Sequence, residues 1–133
     1  MIVEIALLMC LGHVLADFYI QPICLSQMKC KSWWVKECEN NNVPFKDYQT
    51  DYIVALIMHS ICWAVMVLLP IMFMMQVNNW LLLKLFLGNV AIHAVVDDLK
   101  ANRYKINLWT DQFIHLWQML ITLYIVVFNP TLI

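Results

Sequence analysis

Four long apolar runs constrain this chain more than anything else in it: residues 2–22, 52–75, 80–101 and 109–129 each supply the roughly 20 mostly apolar residues that a helix needs to cross a bilayer. The runs are continuous and rich in Leu, Met and Ala, without the period-two alternation of an outer-membrane strand, so they predict helices rather than a barrel. Charge is too scarce for the alternative. Eight Lys/Arg and nine Asp/Glu among 133 residues cannot cover a soluble particle of this size. The expected fold class is all-α, an integral membrane four-helix bundle, with residues 1–133 forming one transmembrane domain.

The first run is not a cleavable leader by pattern, because it lacks a basic start and carries His13 and Asp17 inside its apolar stretch. Pro22 closes it near Gln21, since proline cannot donate to the helix ladder and pushes its predecessor out of the α region. The one sizeable loop, 28–50, holds Lys29, Lys31, Lys36 and Lys46, and the short loop before the fourth run adds Lys100, Arg103 and Lys105. The opposite side shows only Lys84. The positive-inside rule therefore puts both loops in the cytoplasm and both termini on the non-cytoplasmic side. Residues 23–34 are expected to form either a short amphipathic surface helix or a plain loop. Trp33, Trp34, Trp80 and Trp109 fall where interfacial aromatic anchors belong. The cysteines follow no zinc-ligand spacing, and no structural disulfide is expected.

Each run carries one histidine, His13, His59, His93 and His115, and three of them have an aspartate four residues away: Asp17, Asp97 and Asp111. A separation of four places both side chains on one helix face, a turn apart. Counted from the cytoplasmic ends, the four histidines lie about 9–14 Å deep at about 1.5 Å per residue. Every paired aspartate lies one turn nearer the cytoplasm. Ionisable groups inside a membrane cost about 2.5–3.5 kcal/mol each on insertion scales, so a set of this size implies a compensating partner.

A divalent metal suits both donor types, and four-helix bundles build such sites from facing helices. The expected ligands are His13, Asp17, His59, His93, Asp97 and His115, holding one or two ions of Zn, Mn or Fe, with at least three of the histidines converging. Asp111 is expected to act as the base or as a bridging ligand. Gln21 and Gln112 flank the aspartate layer and would orient ligands or simply cap at the interface. Lys100 and Arg103 stand where an anionic headgroup would rest, or obey the positive-inside rule alone. Asp98 points about 100° away from Asp97 and falls outside the cluster. For any single pair the plainer reading is a buried His–Asp hydrogen bond. For the whole set, a proton or ion path competes with a metal site. The outer halves, such as 2–11 and 117–128, offer few polar residues to continue such a path.

The motifs Gly12-His13-x-x-Ala16-Asp17-Phe18-x-x-Gln21, His93-x-x-x-Asp97-x-x-Lys100 and Asp111-Gln112-x-x-His115, with the lone His59, resemble an uncharacterised family of small bacterial and phage membrane proteins. That resemblance runs over nearly the whole chain and implies a multi-pass protein of the bacterial inner membrane, but no activity. In residue types rather than motif order, the chain is also similar to the membrane-bound metal-dependent hydrolases. That likeness implies hydrolysis, as an analogy. The leading expectation is a metal-dependent intramembrane hydrolase acting on a lipid or lipid-linked substrate, a phosphoester first, from the cytoplasmic leaflet. The alternatives are a proton or divalent-ion channel or transporter using the same cluster, and a holin-like or structural membrane protein. Membrane lipid is the expected partner and nucleic acid is not; a homo-oligomer is compatible with so short a chain.

Overall fold

The spacing of buried residues explains how the helices face one another. In the computed structural model, which describes residues 1–19, 21 and 23–128, six α-helices follow in order: α1 (Ile2–Val14), α2 (Ile23–Met28), α3 (Lys31–Asn40), α4 (Asp51–Met74), α5 (Asn79–Ala101) and α6 (Leu108–Phe128). No strand occurs among the described residues. Helix α1 buries Ile5, Met9, Gly12 and His13, α5 buries Leu85, Asn89, His93 and Asp97, and α6 buries Asp111, His115, Gln118 and Thr122. Steps of three and four draw one stripe down each helix, and these meet the stripe of α4 at Ala55, His59, Trp63 and Val67.

Four helical stretches are long and apolar enough to cross a membrane: Ile2–Tyr19, Phe45–Met74, Asn79–Ala101 and Leu108–Phe128. Their outward faces carry exposed Leu7, Phe73, Leu87, Trp117 and Tyr124, an apolar surface that water would not tolerate over such a length and that acyl chains would solvate. Helices α4, α5 and α6 match the sequence-based runs to within a residue at each described end, the second stretch being lengthened by the turn at Phe45–Asp47, and the first run differs. There the α-helix gives way at Leu15–Tyr19 to a π-helical turn, the insertion that commonly re-aims a functional side chain. Pro22 and residue 129, the predicted ends of the first and fourth runs, lie outside the described residues.

Two backbone features bring α1 against α4. Pro70 sits inside α4 and has no N–H for the carbonyl one turn back, at Met66. Gly12 faces that carbonyl: a Cβ at Gly12 would lie 2.5 Å from the Met66 oxygen and 3.0 Å from its carbon. Only glycine permits this approach, which sets His13 one residue from the α1–α4 contact.

The interior is divided. Toward the termini it is apolar, filled by Ile5, Met9, Val67, Ile71, Leu85, Leu123 and Val126. Toward the 28–50 loop it is polar, and Trp63, with no exposed surface, forms the floor between the halves. The loop itself is ordered by α2, α3 and a 3-10 turn at Phe45–Asp47, so more of it is helical than the sequence predicted. Trp34 donates its Nε1–H to the Met28 carbonyl at 2.7 Å and stacks on Tyr48, with Trp33 edge-on against it. These two tryptophans are half-buried and tie the loop together, whereas Trp80 and Trp109 stand fully outward at their helix starts. Cys10, Cys30, Cys38 and Cys62 are free thiols.

Candidate metal centre

The polar half of the bundle gathers the four histidines with Asp17, Asp97 and Asp111 into one cluster. His59, His93, His115, Asp97 and Asp111 are each at most 1% exposed. Two sets of ligand atoms lie within 4.8 Å of one another: Asp17, His59 and His93, and His93, Asp97 and His115. Each set holds two imidazoles and one carboxylate, the donor combination that leaves coordination positions open on zinc or iron. His93 belongs to both.

Asp17 reaches the cluster because it lies in the π turn. Its Oδ1 stands 3.3 Å from His59 Nε2 and 3.9 Å from His93 Nε2. The two imidazole nitrogens are 3.1 Å apart, and Asp97 Oδ2 is 3.5 Å from the first and 3.8 Å from the second. On the other flank His115 Nε2 lies 3.5 Å from both Asp97 Oδ1 and Asp111 Oδ1. Ring stacking fixes these positions: His93 is stacked between Trp63 and His115 with centroids 4.3 and 4.2 Å away.

Proximity has not produced hydrogen bonds everywhere. Asp17 Oδ1, His93 Nδ1, Asp111 Oδ1 and His115 Nε2 are buried polar atoms without a hydrogen-bond partner. Such atoms are rare, and each costs about 1–3 kcal/mol, more when charged. Three of them lie next to other cluster atoms at ion-pair distance but out of hydrogen-bond alignment, the pattern left when a shared cation would be the common partner.

His13 is engaged differently. Trp63 Nε1–H, which can only donate, points at His13 Nδ1 from 2.7 Å. That nitrogen must therefore be the acceptor, and the proton sits on Nε2, which lies 3.0 Å from Gln112 Oε1. Gln112 in turn donates to Asp111 Oδ2 at 3.0 Å. His13 stands outside both ligand sets, with its two nitrogens committed to a chain that ends on Asp111, and Gln112 is the link.

Two lysines close the cluster. Lys100 pairs with Asp111 Oδ2 and lies 3.8 Å from Asp97 Oδ1. Lys29 is the surprise: its residue is 8% exposed and its Nζ sits 2.6 Å from Asp97 Oδ2. The sequence placed it among the loop lysines that merely set topology. Asn102 holds it there, donating to the Lys29 carbonyl at 3.1 Å and accepting from Lys31 N–H at 2.7 Å. Three carboxylates thus face two ammonium groups as well as the four imidazoles.

The remaining expectations sort by geometry. Arg103 does not reach the cluster; its Nε pairs with Asp98 Oδ2 at 2.7 Å with the arginine side chain 66% exposed. Asp98 lies outside, as its helical phase predicts. Gln21, with its amide turned to satisfy both neighbours, donates to the Asp17 carbonyl at 3.2 Å and accepts from Ser26 N–H at 3.3 Å, so it joins the π turn to α2. The sequence reading missed the polar residues beyond His115. Asn89, Gln118 and Thr122 are buried and hydrogen-bonded together, which corrects the expectation that the outer halves lack a polar continuation. The signal was present: Asp111, His115, Gln118 and Thr122 step by four, three and four, and Asn89 precedes His93 by four.

The chain matches no family model, no curated protein and no solved structure.

Proposed function

We propose that this cluster is a divalent metal centre of an intramembrane hydrolase, with Asp17, His59, His93, Asp97 and His115 as ligands for one or two ions of Zn, Mn or Fe. The observation that carries the reading is a pair of His/His/Asp groups that share His93, in which buried Asp17 Oδ1 and His115 Nε2 have no hydrogen-bond partner. A bound divalent ion would satisfy them and lower the pKa of water at its open position.

The chain's own residues then divide the work. Asp111 Oδ2 is held by Lys100 and Gln112, which leaves Oδ1 free to take a proton, the role of a general base. With metal bound the cluster carries net positive charge, which favours an anionic reacting group. Lys100, the more exposed of the two lysines, stands at the rim where that group would enter. A lipid-linked phosphoester approaching from the cytoplasmic leaflet fits these conditions. The membrane is a bacterial inner membrane, with both termini outside and the 28–50 loop inside, because seven of the eight Lys/Arg fall at two loops on one side.

A second reading rests on a specific observation. The Asn89–Gln118–Thr122 chain continues from His115 into the other half of the bundle, and a proton or ion carrier would use such a continuation. One paired measurement separates the two: metal content with hydrolysis of lipid-linked phosphoesters, and ion flux in liposomes, on the same purified protein. Near-stoichiometric metal, its loss in Asp17→Ala and Asp97→Ala, and an Asp111→Asn variant that keeps metal while losing turnover by roughly 10²–10⁴-fold support the hydrolase. Protein that binds no divalent metal and passes protons or ions down a gradient establishes the carrier instead.

A further inference from the structure

One-way hydrogen-bonding groups around His115 fix how that ring is turned. Asn89 Nδ2 lies 2.8 Å from the Leu85 carbonyl, which can only accept, so the amide nitrogen is on that side and Oδ1 faces Gln118. Gln118 Nε2 lies 2.9 Å from the Asn89 backbone carbonyl and 2.9 Å from Asn89 Oδ1, two acceptors, so both its hydrogens are spent there. Thr122 completes the clamp by donating to the Gln118 carbonyl at 2.8 Å while accepting from Asn89 Nδ2 at 3.0 Å. The Gln118 amide cannot turn over without facing two oxygens with a third. Its Oε1 is left pointing at His115 Nδ1, 3.5 Å away, and the only favourable sense of that contact is N–H toward oxygen.

We infer that Gln118, clamped by Asn89 and Thr122, is the positioning residue that keeps a proton on His115 Nδ1 and turns Nε2 toward Asp97 and Asp111. Two carboxylate oxygens at 3.5 Å favour positive charge at Nε2, which a proton or a metal ion would supply, so the clamp prepares this side of the ring for a cation. The inference deepens the metal reading and rests on it for its purpose, but the proton on Nδ1 follows from the hydrogen bonds alone. His13 has the opposite tautomer by the same logic, through Trp63. The two outer rings of the cluster are therefore set by fixed donors and acceptors, one turned toward a hydrogen-bond relay and one toward a cation.

The test reads ¹⁵N chemical shifts of histidine-labelled protein in bilayers, with the His115 signals assigned by their loss in His115→Gln, and zinc titration alongside. Wild-type protein is expected to show His115 protonated at Nδ1, with Nε2 shifting on zinc addition. Gln118→Met keeps the volume but removes the acceptor, and is expected to mix the tautomers and weaken zinc binding by roughly 10–100-fold, the usual effect of losing a ligand's supporting hydrogen bond. Gln118→Glu keeps an acceptor and is expected to retain the Nδ1–H tautomer. A wild-type His115 unprotonated at Nδ1, or a Gln118→Met variant unchanged in both Nδ1 protonation and zinc affinity, overturns the inference. Wild-type protein with the Nδ1–H tautomer and no zinc binding removes the metal reading and leaves the positioning role intact.

Discussion

Replacing Lys29 by methionine tests the cluster at the contact the sequence concealed. The ammonium sits 2.6 Å from Asp97 Oδ2, with the two side chains 10% and 1% exposed, so solvent screens the pair little. At an effective dielectric constant of about 20 their attraction is roughly 6 kcal/mol, from which the cost of dehydrating both charges must be taken. Removing one partner strands the other, and stranded buried charges cost about 3–5 kcal/mol. Lys100 offsets part of this, since its Nζ is 3.8 Å from the other Asp97 oxygen, but it is already paired with Asp111. Lys29→Met is therefore expected to lose about 3 kcal/mol, a factor of roughly 150 in the folding equilibrium. The assay is reversible unfolding in mixed micelles, run as a double-mutant cycle with Asp97→Asn. A coupling energy above about 2 kcal/mol is expected, well beyond the 0.2–1 kcal/mol of exposed pairs. The variant should also bind zinc more tightly than wild type, because a competing cation has gone. A coupling energy below about 0.5 kcal/mol, with zinc affinity unchanged, would refute the argument that Lys29 compensates Asp97.

Gly12→Ala should destabilise the bundle by about 1–3 kcal/mol in thermal unfolding, because its Cβ meets the Met66 carbonyl oxygen at 2.5 Å. Gly88→Ala, with nothing within 4 Å of the added carbon, should be neutral or stabilising by up to about 1 kcal/mol; equal effects at the two sites would contradict the helix crossing. Trp63→Phe removes the sole donor that fixes His13 Nδ1 as an acceptor, so ¹⁵N spectra should show His13 turning from a single Nε2–H form to a mixture, at a stability cost of about 0.5–1.5 kcal/mol. For topology, burial is the chief cause that pushes the Cys30 thiol above its ordinary value, so less of it is thiolate at neutral pH and alkylation should be slow, speeding up as pH rises. In a variant keeping Cys30 alone, an impermeant maleimide applied to intact cells should leave it unmodified; rapid labelling from outside would reverse the orientation.

Much of this architecture can be read along the chain. Apolar length set the four spans, and the four-residue separations His13/Asp17, His93/Asp97 and Asp111/His115 put each pair on one helix face, because the period of a helix is a local property. Depth could be counted too, since rise per residue is fixed, and the layering of histidines over aspartates came from that count. What periodicity cannot say is which stripe meets which, or how a side chain from outside the stripes enters. Asp17 reaches His59 through a π turn, which the sequence does not announce. Tertiary packing at Gly12 and Met66 brought Trp63 beneath His13 and committed both of that ring's nitrogens. It also drew Lys29 inward over Asp97, because an uncompensated carboxylate in a low-dielectric interior attracts any ammonium within reach of a flexible stem. The sequence by itself determined that seven ionisable groups share a narrow slab of the bundle. Only the tertiary structure decided which of them face a common point and which serve to hold the others, because hydrogen-bond direction between helices depends on their rotation and crossing, and neither is encoded by spacing on one helix.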